Sequence, residues 1–250
     1  MKKSSTWYSH RMQTEVQVTR WGVVGTPVLL FPTAGGDAEE CERFHLIGAL
    51  GDLLEAGRIK VYSCDSVAGR TWLTGNHSPD HRTWMQNQFD EFVVRELVPL
   101  ICSDCGFEEP TDENGPEIVA AGASMGAFNA LASLCRHPEL FRAAICMSGT
   151  YDLEKYLDGH VTEAFYLASP LHFVPHLPED GPILAKLRER FVLLTHGEGR
   201  WEDPEESWRV ANVLGARGIP NRVDPWGTEW DHDWPTWRNM LPKFLDEIVD

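Results

Sequence analysis

One short stretch, residues 122–126, constrains the fold of this chain more than any other. It reads Gly-Ala-Ser-Met-Gly and follows a short apolar run at residues 116–121, which is typical of a buried strand. Residues 127–134 are rich in Ala and Leu, which favours a helix. The two glycines allow the backbone to turn sharply and allow the strand and the helix to approach closely. The pattern therefore predicts a nucleophile elbow, a strained turn that exposes the Ser124 hydroxyl.

Apolar runs and helical periodicities alternate along the rest of the chain. Continuous apolar segments predict strands that are buried on both faces, at residues 27–32, 58–65, 141–147 and 190–195. Helical spacing of apolar residues predicts helices at residues 37–57, from 84 onward, at 204–216 and at 235–249. This alternation predicts an α/β fold with helices on both faces of a parallel sheet, and 250 residues fit one domain, 1–250.

Local patterns predict the remaining elements. Residues 12–24 alternate between apolar and polar, which predicts a half-exposed antiparallel strand at a sheet edge, and residues 221–226 predict a short last strand. Asp37, with Glu40 three residues later, predicts an N-cap and a capping box for the first helix. Polar connections at residues 66–83 and 103–116 predict loops.

Composition argues against several classes of function. The formal charge is −16 without a basic cluster, which argues against nucleic acid and anionic membranes as partners. No run of 18 apolar residues exists, and no apolar stretch follows the first two lysines, so we expect neither a membrane span nor a secretory signal. No Cys or His pair matches Cys102 and Cys105, so the six cysteines predict reduced thiols in a cytoplasmic protein without a metal or cofactor.

A serine nucleophile needs a neighbouring base, and around such an elbow the acid and the histidine follow the serine in that order. His137 would end the elbow helix, and His196 precedes any suitable acid loop. His232 follows the last predicted strand and precedes the last helix, where a loop can place an imidazole over the carboxyl edge of the sheet. His232 is therefore the predicted base.

The acid should lie on the loop after the strand that ends at Thr195. Three candidates occur there, Glu198, Glu202 and Asp203. Asp203 begins an Asp-Pro-Glu-Glu segment, so it has a sufficient role as a helix N-cap. Glu202 has no capping role and sits where the loop would turn towards His232. We therefore predict Glu202 as the acid that orients the imidazole, with Asp203 as the first alternative and Glu198 as the second.

An oxyanion hole needs two backbone N–H groups that point at the developing negative oxygen. The first donor should be Met125, directly after the nucleophile. The second should come from the turn after the strand at residues 27–32, where two glycines let the backbone approach a substrate. Ala34 is the predicted second donor, with Gly35 as the alternative.

Taken together, these residues resemble the α/β-hydrolase superfamily, and more narrowly the putative esterases related to esterase D, feruloyl esterases and mycolyltransferases. The resemblance runs from about Val28 to Ile248 and is carried by the motifs at residues 32–36, 122–127, 147–152 and 232–237. It implies a central, mostly parallel sheet without a large cap domain, and catalytic roles for Ser124 and His232. The chain departs from the family pattern at the first loop, where His-Gly is replaced by Pro-Thr, and at Glu202, where Asp is usual.

These expectations define a serine hydrolase that acts on small-molecule carboxylic esters through an acyl-enzyme. An acyltransferase or a thioesterase could use the same residues, since only the acceptor or the leaving group differs. A non-catalytic binding protein that kept the fold is the third alternative. The sequence predicts neither the identity of the ester nor the oligomeric state.

Overall fold

A computed structural model describes residues 1–108, 115 and 117–249 of the chain. Eight strands form one sheet in the order β1-β2-β4-β3-β5-β6-β7-β8. Their bounds are β1 Lys2–Ser9, β2 Thr14–Trp21, β3 Thr26–Phe31, β4 Ile59–Cys64, β5 Ile118–Ala123, β6 Phe141–Met147, β7 Phe191–His196 and β8 Asn221–Pro225. Strands β3 to β8 pair in parallel, and β2 pairs antiparallel with both β1 and β4. The predicted strands and the mostly parallel sheet are thus confirmed.

Helices cover both faces of the sheet. Their bounds are α1 Glu40–Arg43, α2 Leu46–Ala49, α3 Gly51–Glu55, α4 Val67–Leu73, α5 Pro79–Phe92, α6 Val98–Cys105, α7 Met125–Arg136, α8 Glu163–Ala168, α9 Pro170–Phe173, α10 Pro182–Leu187, α11 Pro204–Ala216 and α12 Trp234–Ile248. A π-helical turn, Val93–Leu97, joins α5 to α6. One apolar core packs α4 to α11 on one face, and a second packs α1 to α3 and α12 on the other. No separate cap domain occurs among the described residues, and none of their helices is long and apolar enough to cross a bilayer.

The strand predicted at the sheet edge lies one place inside it. Strand β2 is covered by β1, which pairs with it from Lys2 to Ser9. Most of β1 is polar and exposed, so it lacks the apolar alternation that marks a half-buried strand. The prediction that residues 12–24 form the edge is therefore wrong in its placement.

The predicted continuous helix at residues 37–57 is also wrong, because three short helices replace it. His45 adopts φ +63°, a left-handed conformation that interrupts the helix between α1 and α2. The N-cap of α1 is Glu39 without a side-chain bond, while the Asp37 carboxylate accepts from the Glu39 N–H. Glu40 does not complete a capping box, because its carboxylate binds Thr33 instead.

The connection predicted as a loop at residues 66–83 is largely helical. It contains α4 and the first turn of α5, whose N-cap Ser78 accepts from the N–H of His81. Trp72 lies on α4 rather than on a loop, and it is buried. The loop predicted at residues 103–116 begins only after Cys105, and its residues 109–114 and 116 lie outside the described residues.

Candidate active site

The elbow has the strained geometry that its sequence predicts. Ser124 has φ +56° and ψ −122°, a conformation that costs a non-glycine residue on the order of 1–3 kcal/mol. Its N–H donates to the Met147 carbonyl at 3.0 Å, which fixes the turn against β6. A Cβ on Gly122 would overlap the Gly126 backbone, and one on Gly126 would lie 2.5 Å from the Phe31 carbonyl oxygen. Only glycines therefore allow β5, the start of α7 and the end of β3 to meet here, with Ser124 half-buried between them.

The structure places Glu202 beside His232. Glu202 Oε2 lies 3.7 Å from His232 Nδ1, which is within ion-pair range but longer than a hydrogen bond. The Glu202 side chain is 1% exposed and that of His232 is 22% exposed. The Trp237 ring packs edge-on against the imidazole, with 5.2 Å between ring centroids. The imidazole is therefore held between an indole and a buried carboxylate.

The two alternative acids lie elsewhere. Asp203 is the N-cap of α11, where its carboxylate accepts from the Glu205 N–H at 3.2 Å. Glu198 is exposed at the start of the same loop. Within the described residues, neither carboxylate forms an ion pair with a histidine. Of the three candidates, only Glu202 is brought to His232.

The loop that carries Glu202 is bonded directly to the loop that carries His232. The His232 N–H donates to the Arg200 carbonyl at 3.0 Å, and the Arg200 guanidinium donates twice to the Asp231 carboxylate. The Gly199 N–H donates to the Trp230 carbonyl at 2.9 Å. A Cβ on Gly197 would overlap that same carbonyl oxygen. These contacts fix the acid and the imidazole relative to each other.

Ser148 is a further functional candidate, whose role the local sequence does not predict. Its hydroxyl donates to Glu202 Oε1 at 2.6 Å and accepts from Trp237 Nε1 at 3.0 Å. Ser148 is 4% exposed and adopts φ +46° at the end of β6. Its motif at residues 147–152 carries part of the family resemblance, but the partner of the Ser148 hydroxyl is 54 residues away in sequence. Only the folded chain shows that this hydroxyl binds the Glu202 carboxylate.

Replacing Ser148 with Ala should lower kcat/KM about 10-fold or more, since a hydrogen bond to a charged group contributes about 1.5–3 kcal/mol. The loss arises because Glu202 is then free to turn away from His232. The measurement is steady-state hydrolysis of a p-nitrophenyl ester. Ser207→Ala removes a buried hydroxyl that has no hydrogen-bond partner among the described residues, and this control should stay near the wild-type rate. Equal rates in both variants would contradict a positioning role for Ser148.

The predicted oxyanion donors lie at the start of α7 and in the turn after β3. Met125 is the first residue of α7, so its N–H has no acceptor within the helix. Ala34 and Gly35 are the central residues of a turn that the Gly36 N–H closes by donating to the Thr33 carbonyl at 3.1 Å. The Thr33 N–H is taken by Glu40. Across the described chain, the N–H groups of Ala34 and Gly35 have no acceptor.

The comparisons with known proteins identify the family. A family profile described as "Esterase: Putative esterase" matches residues 65–245. The chain belongs to this esterase family. The predicted class, an enzyme that hydrolyses esters, is confirmed at this level. A search of curated proteins returns no match for this esterase.

Solved structures show the same fold. A ferulic acid esterase superposes with a TM-score of 0.76 at 18% identity, covering 100% of this chain and 98% of the other. An S-formylglutathione hydrolase from Agrobacterium tumefaciens gives 0.71 at 14% identity, with coverages of 99% and 94%. MPT51 (FbpC1) of Mycobacterium tuberculosis gives 0.72 at 18% identity, with coverages of 99% and 97%. The predicted α/β-hydrolase fold of this esterase is thereby confirmed.

Proposed function

We propose that the esterase uses Ser124 as nucleophile, His232 as general base and Glu202 as the acid that orients the imidazole. The observation that carries this proposal is the buried Glu202 carboxylate beside His232 Nδ1, on loops bonded to one another and at the same sheet edge as the strained Ser124. With Nδ1 turned towards Glu202, Nε2 is left to accept the Ser124 proton.

The reaction follows from these positions. Ser124 Oγ attacks the ester carbonyl carbon as His232 Nε2 takes its proton, and Glu202 stabilises the resulting imidazolium. The N–H groups of Met125 and Ala34, with Gly35 as the alternative to Ala34, stabilise the oxyanion. His232 then returns the proton to the departing alcohol. Water, activated by the same imidazole, releases the acid from the acyl-enzyme and restores Ser124.

An active-site label and a product analysis together test the proposal. A fluorophosphonate should add once per chain, and digestion should place the adduct on Ser124. Hydrolysis of p-nitrophenyl butyrate should show an initial burst if breakdown of the acyl-enzyme is slow. An adduct on another residue, or no adduct together with no hydrolysis, would overturn the assignment.

The same residues would serve an acyltransferase or a thioesterase, so the acceptor has to be measured. Added alcohols that divert the acyl group from water to a new ester would favour transfer. A protein that neither labels nor turns over would favour the third alternative, a binding protein.

We infer one domain over residues 1–250 and a small-molecule ester as partner, without nucleic acid. A reducing, cytoplasmic setting is supported by six described cysteines that form no disulfide. Burial raises the pKa of Cys41 and of Cys146 to about 12, so neither thiol is a competing nucleophile.

A further inference from the structure

The turn Thr33–Gly36 is held by a buried carboxylate. Glu40 is 7% exposed, and its two oxygens accept from the Thr33 N–H at 2.9 Å and from the Thr33 hydroxyl at 2.7 Å. A Cβ on Gly36 would overlap this carboxylate. The turn therefore closes directly over Glu40, and Thr33 is bound to it through both main chain and side chain.

The Glu40 carboxylate forms no ion pair within the part of the chain that the structure describes. Among the described residues, no Lys, Arg or His nitrogen lies within the 4.0 Å of an ion pair to Glu40, and Arg43 pairs with Asp37 instead. Burial raises the pKa of Glu40, while its hydrogen bonds from Thr33 act in the opposite direction. A buried charge without a cationic partner costs folding free energy. At the first position of α1, Glu40 provides no side-chain cap, and both of its carboxylate oxygens bind Thr33 instead.

The hydrogen bond from Thr33 to Glu40 also determines which N–H groups of the turn can bind a substrate oxygen. The Thr33 N–H is committed to Glu40, the Gly36 N–H is committed to Thr33, and Pro32 has no N–H. Only the N–H groups of Ala34 and Gly35 are left to meet a substrate oxygen. Helix α4 supports the turn from the other side, because Gly69 approaches Ala34 so closely that a Cβ there would lie 2.7 Å from its carbonyl oxygen.

We propose that Glu40 is a positioning residue, which holds the turn Thr33–Gly36 so that its free amides complete the oxyanion hole. The inference rests on the proposed function, because it needs an oxyanion at Ser124. Glu40 touches no reacting atom and acts only through Thr33.

Glu40→Met tests the proposal, because Met fills a similar volume without an acceptor. We expect kcat for a p-nitrophenyl ester to fall about 10- to 100-fold, somewhat less than the loss of an oxyanion donor itself. KM should change by less than about twofold, since the oxyanion forms only in the transition state. Affinity for an alkyl boronic acid, whose tetrahedral adduct places an oxygen in the hole, should fall in proportion to kcat.

Two further variants on α1 separate positioning from general stability. Glu40→Gln keeps an amide oxygen for the Thr33 N–H and should recover kcat to within about threefold of wild type. Glu42→Met removes a carboxylate that bonds Lys2 and Trp21 rather than the turn, so its kcat should be unchanged. A wild-type kcat in Glu40→Met overturns the inference, as does a fall in kcat without weaker boronate binding.

If Glu40→Met does not fold, Thr33→Val decides the question. This change leaves the carboxylate buried and removes only the hydroxyl bond, so kcat and boronate affinity should fall together by about 3- to 10-fold. A Thr33→Val enzyme with wild-type values overturns the inference. Failure of the proposed function looks different, because the wild-type protein would then show no hydrolysis dependent on Ser124.

Discussion

Replacing Ser124 with Ala should reduce ester hydrolysis by about 10⁴-fold or more, because removing the nucleophile of such a triad leaves only binding and oxyanion stabilisation. The expected rate is the residual hydrolysis that a folded but nucleophile-free site supports. The measurement is kcat for p-nitrophenyl butyrate. The assay needs enough enzyme for the residual rate to exceed the background hydrolysis in buffer.

Ser133→Ala is the matched control for this change. Ser133 is a buried serine on α7, the same helix that Ser124 precedes, and its variant should keep wild-type kcat. Thermal unfolding of both variants shows whether the fold is intact. Equal hydrolysis by Ser124→Ala and wild type would falsify the assignment of the nucleophile and leave the elbow as a turn alone.

Replacing Glu202 with Gln should lower kcat by about 10²- to 10⁴-fold, since an amide keeps the shape of the side chain but cannot stabilise the imidazolium. The amide can also present its NH₂ group to Nδ1, which favours the wrong tautomer. Pre-steady-state and steady-state rates on the same ester show whether acylation, deacylation or both are slowed.

Asp203→Asn and Glu198→Gln decide between the three acids by the same chemical change. Asn caps a helix as well as Asp, so Asp203→Asn should keep both its stability and wild-type kcat. Glu198 is exposed, and its variant should also be near wild type. A large loss in Asp203→Asn with a near-normal Glu202→Gln enzyme would transfer the role of acid to Asp203.

The sequence alone predicts those parts of the fold and of the candidate site that are specified by neighbouring residues. The elbow and α11 are specified by neighbouring residues, and the structure has both with the predicted neighbours. Capping chemistry at Asp203 left Glu202 as the preferred acid, which the structure places next to His232. Residue spacing, chain order and helix-capping chemistry are enough to predict these features.

The sequence alone does not predict the hydrogen-bond partner of a side chain that has more than one possible partner in the fold. Asp37 and Glu40 have the spacing of a capping box, but Thr33 offers Glu40 two donors in the fold. Similarly, a single serine such as Ser148 carries no sign that a glutamate will return to it from a distant loop. In both cases tertiary contact overrides the local pattern.

The close contacts around the site also limit how this enzyme can diverge. No methyl group fits at Gly126 or Gly197, although neither residue takes part in the chemistry. By contrast, a Cβ at Gly48 or Gly75 would meet nothing within 4 Å. Substitutions should therefore be tolerated at Gly48 and Gly75 but not at Gly126 and Gly197. The carboxyl edge of the sheet is consequently a part of the molecule in which new specificities must arise by changing neighbouring side chains, since the backbone path itself has no room to vary.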